Sequence, residues 1–228
     1  MLRIGTAGWT IRREHRDSFP ADGPQLTRYA ARLNAVEINS SFYRPHRAAT
    51  YARWARETPD GFSFSVKMPR TITHEARLKS ADEALARFLG ECGALGKKLG
   101  CILIQLPPSL ACRPGDFFSR FRDAYGGAAA LEPRHASWFT AETDAMLAQH
   151  RIARVAADPP IGPFAPGGFK GFEYWRLHGS PKIYYSNYDG AFLTEMAKRA
   201  RSGAWVIFDN TALGHAVQNA LELTRAGG

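Results

Sequence analysis

Eight short apolar runs recur along the chain, at residues 2–6, 35–39, 62–67, 101–105, 128–132, 153–157, 173–178 and 204–208, with segments of helical composition between most of them. The helical segments span residues 25–33, 48–57, 81–98, 116–125, 141–150, 191–201 and 212–225. Strand alternating with helix calls for a parallel sheet whose faces are covered by the helices. Eight such units predict an α/β fold, a single-domain (β/α)8 TIM-like barrel over residues 1–228, somewhat shorter than is usual for that architecture. A dinucleotide-binding sheet would want GxGxxG after its first strand, and GTAGWT at 5–10 does not supply it. Between the sixth and seventh strands, residues 158–172 contain PPIGPFAPGG, so one outer helix is expected to be replaced by a Pro/Gly-rich loop. No internal repeat or linker divides the chain.

Alternation within each run says which side chains face the middle. In Phe62-Ser-Phe-Ser-Val-Lys67 the large apolar residues share the helix-facing side, leaving Ser63, Ser65 and Lys67 inward. By the same rule Glu37, Asn39, Gln105, Glu132, Arg176 and His178 face inward, and Val36, Ile38, Ile102, Ile104, Leu131, Trp175 and Leu177 face outward. In the sixth run Asp158 is read as inward, with Val155 and Ala157 outward; at the eighth, Asp209 and Asn210 compete for the inward position. Charged groups would then gather where barrels are normally filled by Val, Ile and Leu. They must pair with one another, meet water or receive a ligand.

Composition narrows the classes of function. No window approaches the roughly 18 apolar residues of a membrane span, and the N-terminal MLRIGTAGW has no basic segment followed by a long apolar one, so a cytoplasmic protein without a membrane partner is expected. Cys92, Cys101 and Cys112 show no CxxC spacing, which argues against a disulfide framework or zinc knuckle. Thirty basic residues against 21 acidic give a net charge of +9, suited to anionic partners, although no run of five or more Lys/Arg is present.

Seven ordered blocks carry a family resemblance: GTAGWT (5–10), VEINSSFYR (36–44), FSFSVKMPRTITHEARL (62–78), ILIQLPPSL (102–110), LEPRHASWF (131–139), YWRLHGS (174–180) and FDNTALGHAVQNALEL (208–223). They resemble the DUF72 (YecE-like) proteins over nearly the whole chain, with departures at Pro133 and Asp209. The resemblance implies a TIM-barrel fold and names no substrate, cofactor or reaction.

The residues themselves suggest the chemistry. Glu37, Lys67, Glu132 and His178 are the candidate catalytic groups: the two carboxylates as acid and base, Lys67 as base, Schiff-base amine or phosphate contact, and His178 as proton relay. Asn39, Tyr43, Arg70, His74, Gln105, Arg134, His135, Trp138, Asp158, Arg176 and Asn210 are the candidate substrate-binding groups. The expected activity is that of an enzyme, a hydrolase or lyase/isomerase, acting on an anionic small molecule, phosphorylated or nucleotide-like, at the C-terminal mouth. The alternative is a nucleic-acid-binding module, with Trp9, Phe42, Tyr184, Tyr185 and Tyr188 as stacking surfaces among the cations. No cofactor is expected. A divalent metal held by Glu37, His74, Glu132, Asp158, His178 and Asp209 stays as an alternative, against which stand the missing HxH and HExxH spacings and the neutralising Lys67 and Arg176.

Overall fold

The computed structural model describes residues 1–113 and 115–227. Its strands form two sheets. One has the order β2(Ala35–Ile38), β3(Ser63–Lys67), β4(Leu99–Gln105), β5(Ala129–Glu132), β6(Ile152–Arg154) and β8(Gly167–Gly168), parallel except for β8. The other has the order β1(Arg3–Thr6), β10(Trp205–Phe208), β9(Tyr174–Leu177) and β7(Ala156–Asp158), parallel throughout. The sheets touch at two places. Ala7 and Glu37 make a parallel bridge, with Gly8 N donating to Glu37 O at 2.8 Å. Only Val155 separates β6 from β7, and its N–H donates to Leu131 O at 2.8 Å, so the chain leaves one sheet and enters the other without a loop.

Helices α1(Gln25–Ala30), α2(Ala48–Arg56), α3(Asp82–Cys92), α4(Phe117–Ala124), α5(Ala141–Gln149), α6(Gly190–Arg199) and α7(His215–Ala226) follow the expected order. Their buried residues recur at helical spacing, as in Leu85, Phe88 and Cys92 on α3 and Ala216, Val217, Ala220 and Leu223 on α7. Caps fix two of their starts: Asp189 accepts from Phe192 N at 2.8 Å, and Thr140 from Thr143 N at 3.2 Å. The Pro/Gly-rich segment between β7 and β9 holds no helix and supplies the short antiparallel β8 instead.

Two apolar clusters follow from strand alternation. Val36, Ile38, Phe64, Val66, Ile102, Ile104, Leu131, Trp175, Leu177, Val206 and Phe208 pack with the helices, whereas Ala35, Cys101, Leu103, Ala130, Val155, Tyr174, Trp205 and Ile207 form a separate inner cluster. The sixth run is therefore reversed from its sequence reading. Val155 and Ala157 face the inner cluster, while Ile152, Arg154, Ala156 and Asp158 alternate outward: Arg154 pairs with Asp144 on α5 at 2.7 Å, and Asp158 accepts from Tyr188 Oη at 2.7 Å. Choosing the inward face by polarity failed there because the outer polar groups have partners of their own.

Gly5 lets β1 and β2 approach. A Cβ there would overlap Ala35 O, and Tyr29 Oη already links Thr6 N at 2.9 Å to Ala35 O at 3.0 Å. Because the obstruction is backbone, Gly5→Ala is expected to lower unfolding stability by about 1–3 kcal/mol. Urea denaturation measures this, and a variant as stable as the parent would remove the close-approach explanation.

Candidate functional site

Charged residues from four strands meet at the C-terminal ends of the sheets. Arg176, fully buried on β9, is the hub: Nε donates to Glu37 Oε2 at 2.9 Å, Nη2 to Glu37 Oε1 at 2.7 Å, and Nη1 to Glu132 Oε2 at 3.0 Å. Nη2 also lies 3.0 Å from Asp209 Oδ2. Tyr174 completes the shell by donating to Glu37 Oε2 at 3.0 Å and lying 2.8 Å from Ser65 Oγ. Burial, with Glu37 beside it, pushes the Tyr174 hydroxyl well above its ordinary pKa, which keeps it a donor.

His178 extends the network. Its Nδ1 faces Asp209 Oδ2 at 3.0 Å, and its Nε2 lies 2.9 Å from Glu132 Oε1 and 2.6 Å from Arg134 Nη2. Arg134 Nη2 is also 2.5 Å from Glu132 Oε1, so the ring has a carboxylate on each side and a guanidinium at its Nε2 edge. Desolvation would raise the Glu132 carboxyl, but Arg134, Arg176 and His178 together hold it well below its ordinary value. Asp209 is lowered in the same way, with Arg176 and the hydrogen bond from His178 outweighing burial.

This geometry limits the acid/base pair expected from sequence. Both oxygens of Glu37 are taken by Arg176 and Tyr174, and those of Glu132 by Arg176, Arg134 and His178. A general base needs an unoccupied lone pair within reach of the substrate proton. These two carboxylates are instead counter-ions to the arginines.

Lys67 is different. It sits at the end of β3, 5% exposed, with its ammonium 4.1 Å from the centre of the Phe42 ring, and among the described residues that ammonium has no hydrogen-bonded or ion-paired partner. Burial first, and Arg176 second, push it down to about 8 against the pull of Glu37, Glu132 and Asp209. Arg134 also keeps an unused donor, since its buried Nε has no partner among the described residues.

The other expected site residues divide. His74 lies near this rim, its Nδ1 2.9 Å from Thr73 Oγ1 and its ring 4.9 Å from Phe42; burial, Lys67 and Arg70 lower its pKa. Gln105 pairs in register with Glu132 at the end of β4, and Asn39 Oδ1 is buried without a partner. Arg70 is turned to Glu75 at 3.0 Å, and Tyr43 is 68% exposed, so neither joins the charged cluster. His135 accepts from Ser137 N and caps the short turn at Ala136–Trp138. Trp138 is buried and donates to Leu110 O at 2.8 Å, a packing role. Asp158 lies outside the cluster, held by Tyr188, and Asn210 donates to Ser186 O and Asn219 Oδ1 at 2.9 Å, tying a loop to α7.

Tyr174 is the site residue missing from the sequence reading, and of the two residues competing at the eighth strand it is Asp209, not Asn210, that joins the network. The signal was present: Trp205 and Ile207 belong to the inner cluster, so continued alternation places Asp209 inward, and Tyr174 shares the parity of Arg176 and His178. Among the described residues no group of three or more His, Cys, Asp and Glu is placed to hold a metal ion, and no helix is long and apolar enough to cross a membrane. Tyr184, in the left-handed region at φ 70°, sets its ring 6.0 Å from that of His178 and partly covers the network.

The model for the family described as protein of unknown function DUF72 matches residues 3–228. The chain belongs to the DUF72 family. DUF72 relatives include the UPF0759 protein YecE of Escherichia coli (strain K12), 32% identical over 141 residues, which are 61% of this chain and 50% of YecE. The UPF0759 protein YunF of Bacillus subtilis (strain 168) is 29% identical over 179 residues, 71% of this chain and 62% of YunF. The matched stretches thus span about half to three-fifths of those relatives. Among solved structures, a DUF72 family protein from Thermotoga maritima MSB8 has a TM-score of 0.77 at 25% identity, covering 99% of this chain and 98% of that one. Another, from Enterococcus faecalis V583, has a TM-score of 0.82 at 20% identity, covering 100% and 95%. They support the mixed α/β fold with parallel strands seen in this DUF72 chain.

Proposed function

We propose that this protein is an enzyme of acid/base type that holds an anionic small molecule at the C-terminal mouth of a (β/α)8 barrel, with Arg134 binding the anion and Lys67 exchanging the proton. The barrel reading takes the two sheets as one ring. It is supported by the Ala7–Glu37 bridge on one side and the unbroken run from β6 to β7 on the other.

The observation that carries the functional reading is the unpartnered Lys67 ammonium, nearly buried beside a network whose three carboxylates are engaged elsewhere. Three carboxylates, Glu37, Glu132 and Asp209, face two arginines, Arg176 and Arg134, so the lysine balances the local charge without being tied to any one acid. An amine pushed down to about 8 is about one-tenth free base at neutral pH, enough to accept a proton. Its protonated form supplies a charge-assisted hydrogen bond to an anion.

A thermal-shift screen of small carboxylates and phosphates tests this. Stabilising compounds are expected with the wild type and not with Lys67→Met; the same compounds stabilising both would overturn the assignment. Affinity for an anion should also fall, by on the order of tenfold, as pH rises through the Lys67 value and one charge-assisted bond is lost. Isothermal titration across that range reads the change directly, and a flat profile would remove Lys67 from the binding step.

A further inference from the structure

We propose a second ligand site, separate from the charged mouth, for a small molecule with a flat apolar body and a phosphate or sulfonate end. It is a cavity of about 600 Å³ between the loop that precedes α3 and the loop that precedes α4. That volume lies within the range of small-molecule pockets. None of Glu37, Lys67, Glu132, Arg176 or His178 lines it.

Its floor is apolar. Phe117, Phe118 and Trp138 are buried side chains that line the cavity, the Phe118 and Trp138 rings crossing at 80° with centroids 6.2 Å apart. Trp138 already spends its N–H on Leu110 O, so the floor offers rings and no polar demand. The rim is cationic, with Arg77, Lys79, Arg113 and Arg120 against the single acid Asp116. Arg120 is neutralised by Asp82 at 3.2 Å and Asp116 at 3.3 Å, but among the described residues neither Arg77 nor Lys79 is paired with a carboxylate.

The rim is also held in place at a conformational cost. Arg77, Leu78 and Ser80, none of them glycine, lie at φ 52°, 66° and 45°. Such residues persist only where surrounding contacts over-determine them, and they concentrate at ligand sites. Here Arg77 reaches across to the other loop, donating to Ser109 Oγ at 2.9 Å and Ser109 O at 2.8 Å. Leu78 N is fixed to Ile72 O at 3.0 Å. An aromatic floor under unpaired, positioned cations is complementary to an aromatic anion.

The probe is 8-anilinonaphthalene-1-sulfonate, titrated into the folded protein and followed by its fluorescence. The site predicts saturable binding of one dye per chain. Arg77→Gln/Lys79→Gln, which removes both charges together with the Arg77 tie to Ser109, should weaken it about fivefold or more. Ala111→Trp, which fills the cavity without altering charge, should abolish it. Absence of saturable binding to the wild type would overturn the proposal, as would unchanged affinity in the double variant with an unaltered melting curve. Should Ala111→Trp fail to fold, the double variant still decides.

Discussion

Arg176→Met is expected to be the most damaging single substitution in this chain, lowering unfolding stability by about 3–5 kcal/mol or preventing folding altogether. The reason is arithmetic of charge. Removing the guanidinium leaves Glu37, Glu132 and Asp209 buried around an apolar side chain, and only Arg134, Lys67 and His178 remain near them. Breaking a buried pair from one side strands the other charges, which is costlier than deleting both. The double variant Arg176→Met/Glu37→Gln should therefore recover part of the loss, and urea midpoints of the two variants give the comparison. Equal or greater loss in the double variant would mean that the network is not held by charge pairing. The same network sets an acid limit. Glu132 and Asp209 titrate below their ordinary values in the folded protein, so their contribution is complete above the unfolded carboxyl range and is lost as pH falls through the folded values.

Lys67→Met should act in the opposite direction, stabilising the fold while eliminating anion binding. Burial pushes this amine from 10.5 down to about 8, which at neutral pH corresponds to a destabilisation on the order of 3 kcal/mol carried by the charged form. Methionine fills similar space without that charge. For a domain of this size the gain is roughly 2–4 °C in melting temperature per kcal/mol. The sign has a pH signature. The folded value lies below the unfolded one, so the lysine's penalty is complete below about 8 and fades as pH rises toward 10.5; the two proteins should converge in alkaline solution. A Lys67→Met protein less stable than the wild type at neutral pH would show that the ammonium is satisfied in a way the geometry does not contain. Retaining an unfavourable buried charge is the pattern expected where a side chain is kept for binding or chemistry.

Much of the arrangement was readable from alternation. Ser65, Lys67, Glu132, Arg176 and His178 were placed inward by the large apolar residues on their other flank, and they do converge. Alternation failed in the sixth run, where Ala153, Val155 and Ala157 are small or modest and give no strong preference of face. There the polarity of Asp158 misled, because a partner hydroxyl, Tyr188, awaits it on the other side. Residues on loops were the least legible. His135 and Trp138 stand beside the strand-five carboxylate in sequence, yet one caps a turn and the other packs under a loop, since after the strand ends no fixed period governs direction. Nor could spacing reveal that Glu37 and Glu132 would be saturated by arginines, Arg176 from a distant strand among them, while Lys67 is left without such a partner among the described residues.

Lys67 is a buried amine, without a hydrogen-bonded or ion-paired partner among the described residues, pushed down to about 8. Reductive methylation with carbon-13 formaldehyde, followed by NMR titration of the Lys67 resonance assigned by its absence in Lys67→Met, measures that value directly. A midpoint near 8, rising when inorganic phosphate is added, is the result expected from the geometry. A midpoint at the ordinary 10.5, indifferent to phosphate, would contradict it.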